Sequence, residues 1–99
     1  MPRLLGIDYG DRRIGFAVSD SGGMIAFPHA VETCLDLGSA LKAVERIFRE
    51  TGAETIVVGY PLNMNGSKGP RAAHTDVFIE KLEARLNIKV EKWDERLSS

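Results

Sequence analysis

The sequence has a single cysteine and almost no excess charge of either sign. Cys34 has no second cysteine to pair with, which excludes an intrachain disulfide and a cysteine-based metal cluster. The 13 lysines and arginines are balanced by 14 aspartates and glutamates, so the formal net charge is -1 and no global positive field attracts a polyanion. Nucleic-acid binding therefore requires local clusters of positive charge or a bound metal ion.

The sequence also lacks long apolar runs. None approaches the roughly 18 residues of a membrane-spanning helix, and the N-terminus has neither the apolar region nor the cleavage site of a signal peptide. We therefore expect a cytoplasmic protein without a membrane segment. The chain has 99 residues, of which 43% are hydrophobic and 27% are charged, and this composition predicts one globular domain over residues 1–99.

The hydrophobic pattern predicts the element order βββαβαβ. A turn at Gly10-Asp11 joins the first two strands in a hairpin, and Pro28 places the third strand at a sheet edge because proline cannot donate to a ladder. We expect an α/β fold in which helices pack on a mixed five-stranded sheet. The predicted strands are residues 4–9, 14–19, 25–33, 55–59 and 88–93; one helix runs from Asp36 to Thr51-Gly52, and a second begins at Pro70 with an apolar face that extends to Leu86.

Asp8 is the first candidate catalytic residue. It stands inside an otherwise apolar strand, where a carboxylate is costly unless it is paired or bound to a metal ion. The alternative is an aspartate that caps a turn at the strand end, although Gly10-Asp11 already supplies the turn residues.

Glu95 is the second candidate, because it directly follows the last predicted strand. Sites in open α/β sheets gather outside the carboxyl ends of parallel strands, so Asp8 and Glu95 converge if their strands both run parallel to the fourth. Such oxygen ligands suit Mg²⁺ or Mn²⁺, and two such ions can activate a water and stabilise the leaving oxygen of a phosphodiester. Composition alone equally allows a solvated charged turn around Glu95.

The loop of residues 61–71 is the third feature, since it leaves the fourth strand and enters the second helix at its N-terminus. Backbone N–H groups and the helix dipole favour a phosphate there, while the composition also fits a flexible surface loop. The hairpin turn carries two arginines that either clamp a phosphate or are merely solvated. His74, farther along the second helix, is expected at the surface. The candidate substrate-binding residues are Arg12, Arg13, Asn63, Asn65, Gly66, Ser67, Lys68, Arg71 and Arg96.

Three blocks of the sequence, taken together, resemble one family. They are Leu5 to Gly15, Val57 to Ser67 and Asp94 to Ser99, and they are similar to the YqgF/RuvX family of Holliday junction resolvases, also described as pre-16S rRNA processing nucleases. The resemblance implies an RNase H-like fold and hydrolysis of phosphodiester bonds with Mg²⁺ or Mn²⁺. It implies catalytic and metal-binding roles for Asp8 and Glu95, and it implies that residues 63–67 and Arg71 lie near the site.

The resemblance also predicts what the partners are and what the chain lacks. The partner is nucleic acid, either structured RNA or branched DNA, and resolution of a junction requires two sites and hence a homodimer. Family members continue past the third block with a helix that carries another catalytic aspartate. Because the sequence stops at Ser99, it is either a fragment, the ordered part of a longer protein or a shortened member of the family. In each case we expect an apparently C-terminally truncated domain that lacks one metal ligand, binds metal weakly and cuts poorly by itself.

Two other functions compete with this interpretation. One is a non-catalytic nucleic-acid-binding module that kept the RNase H-like fold but lost part of its metal site. The other is a nucleotide-binding phosphotransferase domain of the actin and sugar-kinase type. Such domains resemble the first block but normally have small and hydroxyl residues in the hairpin turn, where Arg12 and Arg13 stand here.

Overall fold

The computed structural model describes residues 3–19 and 26–94, and the described elements follow the predicted order. The largest departure from the predicted bounds is the last strand, which begins at Val90 rather than at residue 88. Asn87 ends the preceding helix in the left-handed conformation, with φ 55°, and the chain needs the next two residues to reach the sheet. The elements are β1 (Leu4–Tyr9), β2 (Arg13–Ser19), β3 (Ala26–Thr33), α1 (Leu37–Thr51), β4 (Thr55–Tyr60), α2 (Pro70–Leu86) and β5 (Val90–Asp94).

The five strands form one mixed sheet in the order β3-β2-β1-β4-β5. β2 is antiparallel to both β1 and β3, whereas β1, β4 and β5 run parallel to one another. The position of β3 at the sheet edge confirms the prediction from Pro28, which pairs with Ala17 where the ladder register shifts. Since parallel strands end on the same side, the sheet has one edge at which β1, β4 and β5 all finish, here called the carboxyl edge.

Local signals set the ends of both helices. The Asp36 carboxylate accepts a hydrogen bond of 2.7 Å from the Ser39 backbone N–H, and Gly52, with φ 70°, ends α1 in the left-handed conformation. α2 begins at Pro70, whose fixed φ suits the first helical turn. Neither α1 nor α2, the helices that the structure describes, has the length and apolar composition that crossing a bilayer requires.

Both described helices pack on the same face of the sheet. Alternate strand residues such as Leu5, Ile7 and Val58 belong to one core cluster with the buried residues of α1 and α2. Phe78 of α2 is fully buried and stacks on the Tyr9 ring, with 4.1 Å between ring centroids. The residues that alternate with these point to the opposite face, and those of β1, β2 and β4 are mostly small: Gly6, Asp8, Gly15, Ala17, Val57 and Gly59.

Candidate active site

Asp8 lies near the carboxyl end of β1 on the sheet face opposite the helices, and it is exposed. The expectation of a carboxylate in apolar surroundings is therefore wrong. Strand alternation is the reason, because Leu5 and Ile7 point into the core while Gly6 and Asp8 point away from it. The cross-strand partner of Asp8 is Gly15, so the space beside the carboxylate is left open to water or to a ligand.

Asp8 and Glu95 were expected to converge only if their strands run parallel to the fourth strand, and the strands do so. β1 and β5 both run parallel to β4, and Asp94, the last described residue of β5, pairs with Tyr60 at the carboxyl edge. Glu95 itself lies outside the described residues, as does Arg96, so their roles stay predictions.

Within residues 3–19 and 26–94, no group of three or more His, Cys, Asp or Glu side chains stands close enough to hold a metal ion. Asp8 by itself provides one exposed carboxylate group, with open space beside it where Gly15 lacks a side chain. That arrangement fits Mg²⁺, which keeps several waters and commonly takes one or two protein carboxylates together with substrate phosphate.

The hairpin turn brings Arg12 and Arg13 to the carboxyl edge, close to the end of β1. The turn is closed by backbone hydrogen bonds, from Gly10 N–H to the Arg13 carbonyl at 2.9 Å and from Cys34 N–H to the Arg12 carbonyl at 2.8 Å. Both arginine side chains are exposed. A rigid turn therefore presents two guanidinium groups at the edge where a phosphate is predicted to bind.

The loop after β4 is an ordered turn in which the predicted polar side chains bond to one another. The Asn63 side chain donates to Ser67 Oγ at 3.0 Å, and Ser67 Oγ donates to Asn65 Oδ1 at 2.6 Å. The backbone bonds are Gly66 N–H to Asn63 O at 2.8 Å and Asn63 N–H to Ser67 O at 2.9 Å. Gly66 has φ 88°, in the region that favours glycine. These residues fix the loop shape, and direct contact with substrate stays a prediction for them.

Lys68 belongs to a cluster that the sequence interpretation missed, here called the Asp76 cluster. The Asp76 carboxylate accepts hydrogen bonds from Tyr60 Oη at 2.7 Å, from Lys92 Nζ at 3.0 Å and from Lys68 Nζ at 3.3 Å. Both ammonium groups also lie over the Tyr60 ring, at 5.8 Å for Lys68 and 4.7 Å for Lys92. The sequence feature that could have revealed this cluster is Tyr60, because a tyrosine at a core-facing strand position needs a hydrogen-bond partner for its hydroxyl group.

The charges of the Asp76 cluster stabilise one another. Burial raises the pKa of Asp76, but the hydrogen bonds from Tyr60, Lys92 and Lys68 outweigh it, and the net pKa lies below the usual value. The pKa of Lys68 is raised by its interactions with Tyr60 and Asp76. Two lysines share one carboxylate, so the cluster leaves one positive charge in excess beside the loop.

Arg71 lies in the first turn of α2, across the carboxyl edge from the hairpin turn. Its Nη1 atom is 3.5 Å from Oδ2 of Asp11, and the two side chains are 56% and 80% exposed. An exposed pair at that distance contributes little to stability and dissociates readily. The fold thus brings Arg12, Arg13, Lys68 and Arg71 to the edge that Asp8 occupies, although they are up to 59 positions apart in the sequence.

Comparison with known proteins gives a family match over nearly the whole chain. The model of the family described as "RuvX: Holliday junction resolvase" matches residues 2–99. A protein of Ruminiclostridium cellulolyticum named "Putative pre-16S rRNA nuclease" is 47% identical over 98% of this chain and 69% of its own length. A protein of the same name from Acetivibrio thermocellus is 46% identical over 98% of this chain and 70% of its own length.

Solved structures share the fold at much lower sequence identity. The RuvC structure of Thermus thermophilus matches with a TM-score of 0.63 and 13% identity, over 93% of this chain and 63% of that chain. The same protein in complex with a Holliday junction substrate matches with a TM-score of 0.66 and 14% identity, over 95% of this chain and 64% of that chain. The fold is therefore RNase H-like, as expected, and the chain spans somewhat less than two thirds of each RuvC chain.

Proposed function

Because the chain belongs to the RuvX family of Holliday junction resolvases, we propose that it is a nuclease that hydrolyses phosphodiester bonds in structured nucleic acid. The observation that carries the proposal is the position of Asp8, an exposed carboxylate near the carboxyl end of β1 with a glycine as its cross-strand neighbour. Gly15, the residue of β2 directly opposite, has no side chain, and Asp8 is exposed, so a phosphate and its attacking water can reach the carboxylate.

We propose that Mg²⁺ or Mn²⁺ binds at Asp8, with Glu95 as the second protein ligand. When bound, the metal lowers the pKa of a coordinated water and stabilises the leaving oxygen. The role of the protein is to hold the Asp8 carboxylate in position. Asp8 lies on the central strand of the sheet, whose backbone is fixed by the antiparallel ladder to β2, with Gly15 opposite Asp8, and by the parallel pairing with β4.

Positive side chains along the carboxyl edge bind the substrate backbone in this proposal. Arg12 and Arg13 present guanidinium groups on the rigid hairpin turn, and Arg71 stands across from them at the start of α2. Lys68 reaches the same edge from the ordered loop at 63–67, and Arg96 completes the predicted set. Such phosphate contacts position a substrate without reading its base sequence.

The names of the relatives favour precursor 16S rRNA as substrate, and the family description favours a Holliday junction. We propose that the substrate is a structured RNA or a branched DNA, and we leave both open because the catalytic residues contact a phosphate and a water, neither of which reports the sugar. We propose that the protein meets this substrate in the cytoplasm. Cleavage of a junction requires two sites related by symmetry, so for that substrate we propose a homodimer.

One observation favours a second function, a nucleic-acid-binding module that does not cleave. Within the described ranges 3–19 and 26–94 no three metal-binding side chains come together, so a site built from Asp8 alone would hold a metal ion weakly. The two functions differ in one measurable property, which is strand cleavage that depends on the metal.

The test compares cleavage of a four-way DNA junction and of a double-helical RNA, each incubated with the protein and Mg²⁺ or Mn²⁺. We expect cleavage of one of them by the wild-type protein and none by Asp8→Asn, with the melting temperature retained. Glu54→Gln is the matched control, because it removes the same charge from an exposed residue just before β4, at the opposite edge of the sheet. Binding without cleavage by the wild type would favour the module, and full cleavage by Asp8→Asn would remove Asp8 from the site.

A further inference from the structure

A cavity of about 280 Å³ opens at the carboxyl edge between the hairpin turn and the first two turns of α2. We call it the edge cavity. Asp8 points to the open face of the sheet, whereas the edge cavity lies behind the next residue, Tyr9, on the side of the helices. The six lining residues are Tyr9, Gly10, Asp11, Arg71, His74 and Thr75.

The walls of the edge cavity are held in place from inside the protein. The Tyr9 ring stacks in parallel on the buried Phe78 ring. The Thr75 hydroxyl, on a residue that is only 2% exposed, donates to the Arg71 carbonyl at 2.9 Å. A Cβ on Gly10 would lie 2.8 Å from the Arg13 carbonyl oxygen, so the turn on the other side is also tightly packed. The cavity therefore exists before any ligand binds.

The polar groups of the edge cavity that can contact a ligand are exposed to solvent. Arg71 and His74 lie three residues apart on one face of α2, and both side chains are exposed. Asp11 stands opposite them on the turn, with its Oδ2 atom 3.5 Å from Arg71 Nη1. The cavity thus has two groups that can donate hydrogen bonds to an anion, Arg71 and His74. The Asp11 carboxylate is the present partner of Arg71, the stronger donor.

We propose that the edge cavity is a subsite for a phosphate of the substrate, next to the phosphate that is cleaved at Asp8, and that this phosphate displaces Asp11 as the partner of Arg71. His74 donates the second hydrogen bond to it. The subsite rests on the proposed function, since the phosphate is that of a nucleic-acid strand. Asp11 is then a weak internal competitor for Arg71, which a phosphate displaces readily.

Chemistry and position both favour a phosphate over other ligands. Guanidinium binds phosphate oxygens with two parallel hydrogen bonds, whereas the present contact to Asp11 is a single ion pair of 3.5 Å. Asp8 and Tyr9 are consecutive residues near the carboxyl end of β1 and point to opposite faces of the sheet, so a nucleic-acid strand that contacts both the Asp8 carboxylate and the cavity mouth crosses the carboxyl edge between them. A ligand cation is disfavoured because the lining has a single carboxylate, Asp11, and the Arg71 guanidinium lies beside it.

The first experiment titrates inorganic phosphate into the full chain and follows the NMR signals of the His74 ring and the Arg71 guanidinium. We expect saturable shifts at both groups. The apparent Kd should fall about two- to fivefold in Asp11→Asn, the size of an exposed ion pair, and rise about tenfold in Arg71→Gln. Glu54→Gln, which changes the net charge as Asp11→Asn does, and Arg85→Gln, near the far end of α2, should leave the Kd unchanged.

The second experiment measures binding of a fluorescent double-helical RNA and a four-way DNA junction by the same variants, with cleavage recorded in parallel. Asp11→Asn should bind more tightly, and Arg71→Gln and His74→Ala more weakly. The subsite is overturned if phosphate leaves the two signals unshifted, or if Asp11→Asn weakens binding or matches Glu54→Gln. Phosphate shifts without any cleavage would retain the subsite and reject the nuclease, whereas cleavage without the shifts would do the reverse.

Discussion

Asp8 pairs with Gly15 across the antiparallel ladder between β1 and β2, and a Cβ built on Gly15 would lie 3.8 Å from the Asp8 Cβ. A small side chain at position 15 would touch Asp8 without moving it. A branched one would extend over the carboxylate, on the face where metal and phosphate are proposed to bind. The absence of a side chain at Gly15 therefore keeps the approach to Asp8 open.

Gly15→Val should abolish most of the activity while leaving the fold intact. Valine suits a strand, so we expect little loss in melting temperature. Its two methyl groups crowd the carboxylate, and displacement of a reacting group by about 1 Å can cost on the order of a hundredfold in rate. The measurement is the cleavage rate with Mn²⁺ beside a thermal unfolding curve of the same sample.

Two variants control for the added volume. Gly15→Ala should stay near the wild-type rate, because its Cβ makes an ordinary contact at 3.8 Å. Ala17→Val adds the same two methyl groups on the same strand and face, but opposite Gly6. If Gly15→Val cut at the wild-type rate, open space beside Asp8 would not be needed for catalysis.

The fold was predictable from the sequence because its main determinants act locally. Pro28 excluded an interior strand, Asp36 and Gly52 set the ends of α1, and Pro70 began α2, all as the structure shows. The exposure of Asp8 was not predictable in the same way. The residue that precedes Asp8 on the outward face of β1 is Gly6, which is not polar. The sequence of β1 therefore lacks the alternation of polar and apolar residues that indicates a solvent-exposed face.

The candidate site was predictable only where a chain segment carries its own signal. Asp8 and the loop at 63–67 were proposed as site residues from strand ends and turn residues, and their roles stay predictions. The Asp76 cluster was missed because its members lie on β4, the loop, α2 and β5, and only the parallel pairing of β4 with β5 brings Lys92 beside Tyr60. Such a cluster depends on long-range packing, for which one sequence holds no periodic pattern.

Asp76→Asn should lower stability at neutral pH by about 1 kcal/mol, since charged hydrogen bonds at a partly exposed carboxylate are worth about that much. The folded pKa of Asp76 lies below its ordinary value of 3.8. The stabilisation is therefore fully present above the unfolded pKa and is lost as pH falls through the folded pKa. Urea unfolding of both proteins from about pH 7 to about pH 3 should show the difference shrinking at the acid end.

Tyr60→Phe serves as the control for Asp76, because it removes one hydroxyl donor and leaves both lysines in place. Its effect at neutral pH should be smaller than that of Asp76→Asn. If the difference in free energy of unfolding between wild type and Asp76→Asn stayed constant down to the lowest pH, the charge of Asp76 would contribute nothing to stability.

Gly66→Ala should loosen the loop at 63–67 rather than the whole fold. With φ 88° at Gly66, a Cβ there costs about 1 kcal/mol, and the bond from Gly66 N–H to Asn63 O should weaken. We expect faster amide exchange at Gly66 and a higher KM for substrate, with kcat less affected. Gly38→Ala, at a helical position in α1, is the matched control. An unchanged rate of amide exchange at position 66 in the Gly66→Ala variant would show that the turn tolerates a side chain.

Arg13→Gln should weaken nucleic-acid binding and reduce its dependence on salt. Arg13 is exposed on the rigid hairpin turn, and each phosphate that a protein neutralises contributes about 0.7–0.9 to the slope of log K against log salt concentration. The slope should therefore fall by about that amount, measured by anisotropy with Asp8→Asn protein so that substrate is not consumed. Arg49→Gln, whose side chain is 75% exposed near the end of α1, is the control and should leave the slope unchanged. Equal slopes for Arg13→Gln and Arg49→Gln would mean that the hairpin arginine is simply solvated, and the substrate path would then run along the loop and α2 alone.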